Sequence, residues 1–145
     1  MMEIKENIGN PALGCKIGQA YHILLSQLAG ALKDEGLDIT VGEYLVLRAV
    51  YSKEGLQQCE IADMVGKDRA AVCRCVAGLE KKGLVATEAV SYKCLRVYLT
   101  DRSREMQPRV MKVAALRHQA LAGLTVPGDL EIFNRILDAI IDSKQ

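Results

Sequence analysis

The stretch from Asp68 to Gly83 constrains the fold most. It contains a residue that can begin a helix, apolar residues at helical spacing, and a residue that can end the helix. Asp68 can cap the free N–H groups of a first turn, and Gly83 can take the left-handed conformation that closes a last turn. Apolar residues recur at helical spacing in and just after this stretch: Val72, Val76, Leu79 and Leu84. Arg69 and Arg74 lie off this apolar face. The sequence therefore predicts a helix with one face on a core and a basic face exposed.

Positive charge is concentrated around this predicted helix. The 145-residue chain has a formal net charge of +1, with 19 Lys and Arg against 18 Asp and Glu. Residues 67–104 nevertheless contain nine basic and four acidic residues, whereas residues 1–66 carry a net negative charge. A local basic segment of this kind is typical of polyanion binding, although a solvated lysine-rich face has the same composition.

The composition favours one domain with an ordinary hydrophobic core, since 50% of the residues are hydrophobic. The N-terminus has mixed charge and no secretory signal, and no apolar run reaches the roughly 20 residues of a membrane helix. We therefore expect a cytoplasmic protein. The cysteines are odd in number and lack zinc-ligand spacing, which predicts free thiols and no metal site: Cys15, Cys59, Cys73, Cys75 and Cys94.

The basic helix is preceded by helices that complete a helix-turn-helix. Apolar periodicity predicts a first helix over residues 13–35, and Thr40 with Glu43 forms a capping box that opens a second helix. A short third helix over residues 57–65 ends at the turn Gly66-Lys67. A short helix, a turn and a longer helix make a helix-turn-helix.

Strand-forming residues follow. Residues 84–87 and 95–100 predict two strands, with residues 88–94 as the loop of a hairpin, an arrangement called a wing. The helical period then returns with Pro108 inside it, where a kink or a loosened first turn is expected. A last amphipathic helix carries apolar residues over 130–141.

This arrangement predicts contacts with DNA. The second helix of a helix-turn-helix enters the major groove, where Arg69 and Arg74 would read base edges and alanine methyl groups would contact thymine. We expect nine residues in and around the helix and hairpin to contact DNA: Lys67, Arg69, Ala70, Ala71, Cys73, Arg74, Lys81, Lys93 and Arg96.

Four motifs in this order resemble the MarR (multiple-antibiotic-resistance regulator) family of winged-helix transcription factors. They are Thr40-x-x-Glu43-x-x-Val46-Leu47, Glu60-Ile61-Ala62, Leu79-Glu80-Lys81-Lys82-Gly83-Leu84-Val85 and Val97-Tyr98-Leu99-Thr100. The resemblance implies a mainly α fold with a small β-hairpin, as a single domain over residues 1–145. A winged helix-turn-helix over about 40–100 would lie between dimerisation helices over about 12–35 and 101–143.

The resemblance also implies a function. Members of the family act as homodimers on a pseudo-palindromic double-stranded operator, so we expect a repressor of transcription that a small-molecule effector or an oxidant releases. The chain departs from the family at the wing, where Ser91-Tyr92-Lys93 replaces the usual Asp-x-Arg, and Lys93 lacks the planar fork of arginine. It also has Ala70, Ala71 and Cys73 where hydroxyl residues are usual.

Two other interpretations remain open. Cys15 resembles the reactive cysteine of peroxide sensors in this family, near Tyr21, although a small packed cysteine accounts for it as well. The winged helix could also serve protein interactions without specific DNA binding. An enzyme is not expected, because His22 and His118 are isolated and no nucleophile–base set or phosphate loop can be assembled. We expect no cofactor and no membrane partner.

Overall fold

The computed structural model describes residues 12–92 and 94–144, which form six helices and a three-stranded antiparallel sheet. In chain order the elements are α1 (Ala12–Asp34), α2 (Val41–Ser52), β1 (Leu56–Gln57), α3 (Gln58–Val65), α4 (Arg69–Lys81), β2 (Val85–Ser91), β3 (Cys94–Leu99), α5 (Asp101–Ala122) and α6 (Asp129–Asp142). The predicted fold class, a mainly α winged helix-turn-helix with a small hairpin, is confirmed.

The core lies between α2, α3, α4 and the sheet, and it extends to Leu32 of α1 and to Val110 and Val113 of α5. α2 begins at the predicted capping box, in which Thr40 Oγ1 accepts from the Glu43 N–H at 3.1 Å and Glu43 Oε1 accepts from the Thr40 N–H at 2.9 Å. Behind this cap, three apolar side chains of α2 are fully buried: Val46, Leu47 and Val50. They belong to one cluster with Ile61 of α3 and Val97 of β3. Burial of this apolar surface is what holds the elements together.

α2 and α4 cross at short range. A Cβ atom at Gly78 would collide with the Glu43 carboxylate, and a Cβ atom at Gly42 would lie 2.8 Å from Cys75 Sγ. Glycine has no Cβ and so permits this approach of the backbones. The two glycines therefore let α4 lie directly against α2.

The strands lie in the order β1-β3-β2. The hairpin is longer than predicted, because Glu88 and Ala89 pair with Arg96 and Leu95 of β3. The predicted loop over residues 88–94 is therefore wrong for most of its length. No sequence signal marks β1, because two residues are too few to show a period.

α5 is tied to the winged part of the chain at its start. Thr100 forms a further capping box with Ser103, and α5 continues past Pro108 to Ala122. The Tyr51 hydroxyl of α2 donates to Ser103 O at 2.5 Å. Burial raises the pKa of Tyr51 to about 12, so this phenol is neutral and remains a donor around pH 7.

α1 and α6 leave most of their apolar side chains exposed. α6 has no buried residue, and α1 buries only Leu32. Large apolar side chains are exposed along both helices: Leu13, Ile17, Tyr21, Ile23 and Leu24 on α1, and Ile132, Phe133, Ile136, Leu137, Ile140 and Ile141 on α6. Contiguous apolar faces of this extent are typical of interaction surfaces.

Candidate nucleic-acid interface

The ends of α4 are set by local signals. Gly66 is left-handed, with φ of 68°, at the end of α3. Asp68 caps α4, and its Oδ1 accepts from the Ala71 N–H at 2.7 Å. Gly83, with φ of 74°, closes the last turn. The predicted start and end of this helix are confirmed.

α4 has one buried face and one exposed face. The buried face consists of Val72, Val76 and Leu79. The exposed side of its first two turns carries two arginines and two small side chains: Arg69, Ala70, Cys73 and Arg74. Within residues 12–92 and 94–144, neither arginine forms an ion pair. Small side chains between two free guanidinium groups allow the helix backbone to approach a DNA groove closely.

Glu43 holds the C-terminal half of α4. Its buried carboxylate accepts from Lys82 Nζ at 2.7 Å in addition to the Thr40 N–H. Loss of one partner of a buried ion pair leaves an uncompensated charge, which is strongly unfavourable. The pair therefore fixes α4 on α2, and Lys82 is engaged in the fold rather than free to contact DNA.

The nine predicted DNA contacts do not all lie on one surface. Lys67 and Ala71 are half-buried beside the exposed group, and Lys67 Cε lies close to Gly42 of α2. Lys81 is exposed at the other end of α4, about 18 Å along the helix axis from Arg69. It also lines a cleft with residues of α5, and its contact with DNA stays a prediction.

Arg96 lies within β3, in the strand predicted over residues 95–100, and its guanidinium donates to Gly55 O at 2.8 Å. Its predicted contact with DNA stays a prediction. Lys93 lies outside the described residues, so its predicted contact with DNA stays a prediction. Tyr92, at the end of the hairpin, is 97% exposed, and in sequence it is the middle residue of Ser91-Tyr92-Lys93, the segment that replaces Asp-x-Arg.

The wing is attached to α4 by side-chain hydrogen bonds. Thr87 Oγ1 of β2 donates to Glu80 Oε2 at 2.7 Å. Thr100 Oγ1, after β3, donates to Gly83 O at 2.7 Å. The hairpin and α4 are therefore held in one unit.

The five cysteines are free thiols. Cys15 and Cys73 are exposed, whereas Cys59, Cys75 and Cys94 are half-buried. Burial raises the pKa of Cys75, which lies in the crossing with α2. Among the residues that the structure describes, no group of three or more His, Cys, Asp or Glu is arranged to hold a metal ion.

A second feature is an apolar pocket between α1, α2 and α5, with a volume of about 330 Å³. Apolar side chains form most of its wall, and its polar and aromatic residues are Tyr21, Tyr44, Arg48, Arg117 and His118. Arg48 lies over the Tyr44 ring, with 5.9 Å from Cζ to the ring centroid. Cationic groups beside aromatic rings are suited to a planar anionic molecule.

The fold and this arrangement define a winged helix-turn-helix protein, and residues 36–91 match the model of the MarR family. The HTH-type transcriptional regulator YybA of Bacillus subtilis (strain 168) is 27% identical over 92 residues, which cover 61% of this chain and 61% of that relative. The match thus spans about three fifths of the relative's length.

Two solved structures have the same fold. BpsR of Bordetella bronchiseptica, whose DNA binding is regulated by 6-hydroxynicotinic acid, superimposes with a TM-score of 0.81 at 18% identity, over 93% of this chain and 96% of that one. MepR of S. aureus, in a complex with DNA, superimposes with a TM-score of 0.79 at 18% identity, over 92% of this chain and 98% of that one. The chain is therefore similar to the MarR family in sequence over residues 36–91 and to these two regulators in fold over more than nine tenths of its length.

None of the helices described is both long enough and apolar enough to cross a membrane.

Proposed function

We propose that this chain is a sequence-specific, double-stranded DNA-binding repressor of transcription. The observation that carries the proposal is the exposed face of α4, where Arg69 and Arg74 have no carboxylate partner among the described residues and flank Ala70 and Cys73. A guanidinium group can donate two hydrogen bonds to guanine O6 and N7, and an alanine methyl can contact the thymine methyl. The structure of MepR with DNA supports the same use of this fold.

The chain acts as a homodimer in this proposal. The exposed apolar faces of α1 and α6 need a cover, and a two-fold interface presents the same patch of both subunits to each other. Helices over about 12–35 and 101–143 would then form the dimerisation part, and residues 40–100 the winged part. Two recognition helices would face a pseudo-palindromic operator.

The pocket between α1, α2 and α5 is the proposed effector site. It lies between the helices of the dimerisation part and α2 of the winged part, so a bound molecule would change how these parts meet. Regulation of BpsR by 6-hydroxynicotinic acid supports a planar anionic effector. Arg48→Ala should abolish the release of DNA by such an effector without weakening DNA binding in its absence.

Oxidation of Cys15 is the alternative route of regulation. Cys15 is exposed on the first turn of α1, so a peroxide can reach it. If Cys15→Ser responds to peroxide as the wild type does, the thiol has no role in sensing.

Selection of binding sites from random duplex DNA tests the main proposal. We expect enrichment of a pseudo-palindrome whose half-sites are about one helical turn, roughly 34–36 Å, apart. The double variant with Arg69→Ala and Arg74→Ala should keep the wild-type circular dichroism spectrum and enrich no sequence. Absence of any enriched sequence with the wild type would contradict the proposal and favour a protein-interaction module.

A further inference from the structure

Basic side chains at the C-terminal end of α4 and along α5 line a cleft that is separate from the exposed face of α4. The cleft lies between the α1–α2 loop, the C-terminal end of α4 and the first half of α5, and its volume is about 440 Å³. Sites for small molecules have volumes of about 300–1,000 Å³. The charged residues of its lining are Asp38, Lys81, Lys82, Arg102, Glu105 and Arg109. The cleft shares no lining residue with the proposed effector pocket.

The two arginines of the cleft are oriented but not neutralised. Arg102 donates to Lys82 O at 3.1 Å, and Arg109 donates to Glu35 O. A carbonyl oxygen has no net charge, and in the described part of the chain neither guanidinium has a carboxylate at ion-pair distance. Each guanidinium has five N–H donors, so most of them remain free for an anion.

Acidic side chains in the same cleft offer a different kind of contact. Arg102, Glu105 and Arg109 follow one another at spacings of three and four on one side of α5. Glu105 therefore stands between Arg102 and Arg109 along this side of α5, and Asp38 of the α1–α2 loop lines the same cleft. An ionised carboxylate only accepts hydrogen bonds, so these two residues suit hydroxyl donors of a ligand.

We propose that this cleft binds a phosphorylated metabolite that also carries hydroxyl groups, as sugar phosphates and nucleotides do. The phosphate contacts Arg102, Arg109 and Lys81, since arginine pairs with phosphate through two parallel hydrogen bonds. The hydroxyl groups donate to Glu105 and Asp38, as a ribose hydroxyl does to a carboxylate in dinucleotide sites. The bound molecule contacts the end of α4 and the side of α5 at once, and so connects the recognition helix to the helix that leaves the winged part.

Isothermal titration calorimetry on the full chain tests the proposal with four probes: ribose 5-phosphate, adenosine 5′-monophosphate, inorganic phosphate and ribose. We expect at least one of the first two to bind about tenfold or more tightly than inorganic phosphate, because only they combine both kinds of contact. A preference between the two distinguishes a sugar phosphate from a nucleotide. If neither binds more tightly than inorganic phosphate, the proposal is wrong.

Substitutions locate the binding. Lys81→Gln and Arg109→Gln should each weaken binding of the preferred probe about tenfold, and Lys81 is exposed, so its change leaves the fold intact. Glu105→Gln should weaken binding of the preferred probe but not of inorganic phosphate. Arg135→Gln on α6 removes one positive charge outside the cleft and should have no effect. Wild-type binding by both Lys81→Gln and Arg109→Gln would overturn the proposal. No DNA is present, so the result is independent of the proposed DNA-binding function.

Discussion

At the scale of single residues, the Glu43 carboxylate fixes where α4 lies on α2. It accepts hydrogen bonds from Thr40 at the start of α2 and from Lys82 at the end of α4. It also fills the space that Gly78 leaves open. The same buried carboxylate thus takes part in the cap of α2 and in the contact with Lys82, which is 39 residues away in sequence.

The sequence predicts the first of these roles but not the second. Caps such as Asp68 and Thr40 depend on residues within one turn, so the local sequence is sufficient to identify them. Arg96 illustrates the opposite case, because its partner Gly55 O lies 41 residues away. The local sequence around a basic residue in a strand does not show whether its side chain contacts DNA or a distant carbonyl oxygen.

A pair of substitutions separates these two roles in the wing. Lys93→Ala should weaken binding to operator and random DNA alike and reduce the log–log salt slope by about one unit, since each phosphate contact releases counterions. Arg96→Ala should leave the slope unchanged and lower the free energy of unfolding by about 1 kcal/mol, because it removes the hydrogen bond to Gly55 O. Salt titrations of DNA binding measure the slope, and urea denaturation measures the free energy of unfolding. The reverse pattern would assign the DNA contact to Arg96.

At the scale of elements, predictions succeeded where helical period and end signals agree. α4 carries both, and its predicted limits match its observed range. The hairpin was predicted too short because Glu88 and Ala89 have little strand propensity of their own and extend β2 only by pairing with β3. Strand formation depends on the partner strand, which the local sequence does not contain.

Gly78→Ala tests the short crossing of α2 and α4. Alanine is favoured over glycine in a helix by about 1 kcal/mol, but here its methyl group would displace the Glu43 carboxylate. We expect a net loss of about 1–3 kcal/mol in the free energy of unfolding, measured with urea. Gly30→Ala in α1, where no atom lies within 4 Å of an added Cβ, should instead be neutral or stabilising. Equal stabilisation by both substitutions would show that the crossing is not tight.

At the scale of the whole molecule, the proposed homodimer accounts for the exposed apolar faces of α1 and α6. The buried apolar cluster joins the winged part to Leu32 of α1 and to Val110 and Val113 of α5, but it includes no residue of α6. A second copy of the chain would cover this face and place two recognition helices on one side of the assembly.

Ile136→Asp should disrupt that assembly, because a carboxylate would be buried in an apolar interface without a partner. Sedimentation or light scattering should then find a monomer or insoluble protein. Asn134→Asp adds the same charge to the side of α6 that carries Asp138, and should leave a dimer. A wild-type monomer at micromolar concentration would contradict the proposed assembly.

The most direct test of the central claim measures the affinity of Arg74→Ala for the selected operator and for random duplex DNA at one salt concentration. Arg74 lies on the exposed side of α4, so its loss should weaken operator binding by about 1–3 kcal/mol. Binding to random DNA should change much less, and the ratio of the two affinities should therefore fall. Arg135→Ala on α6 should leave the ratio at its wild-type value. An unchanged ratio for Arg74→Ala would show that this face of α4 does not read DNA sequence.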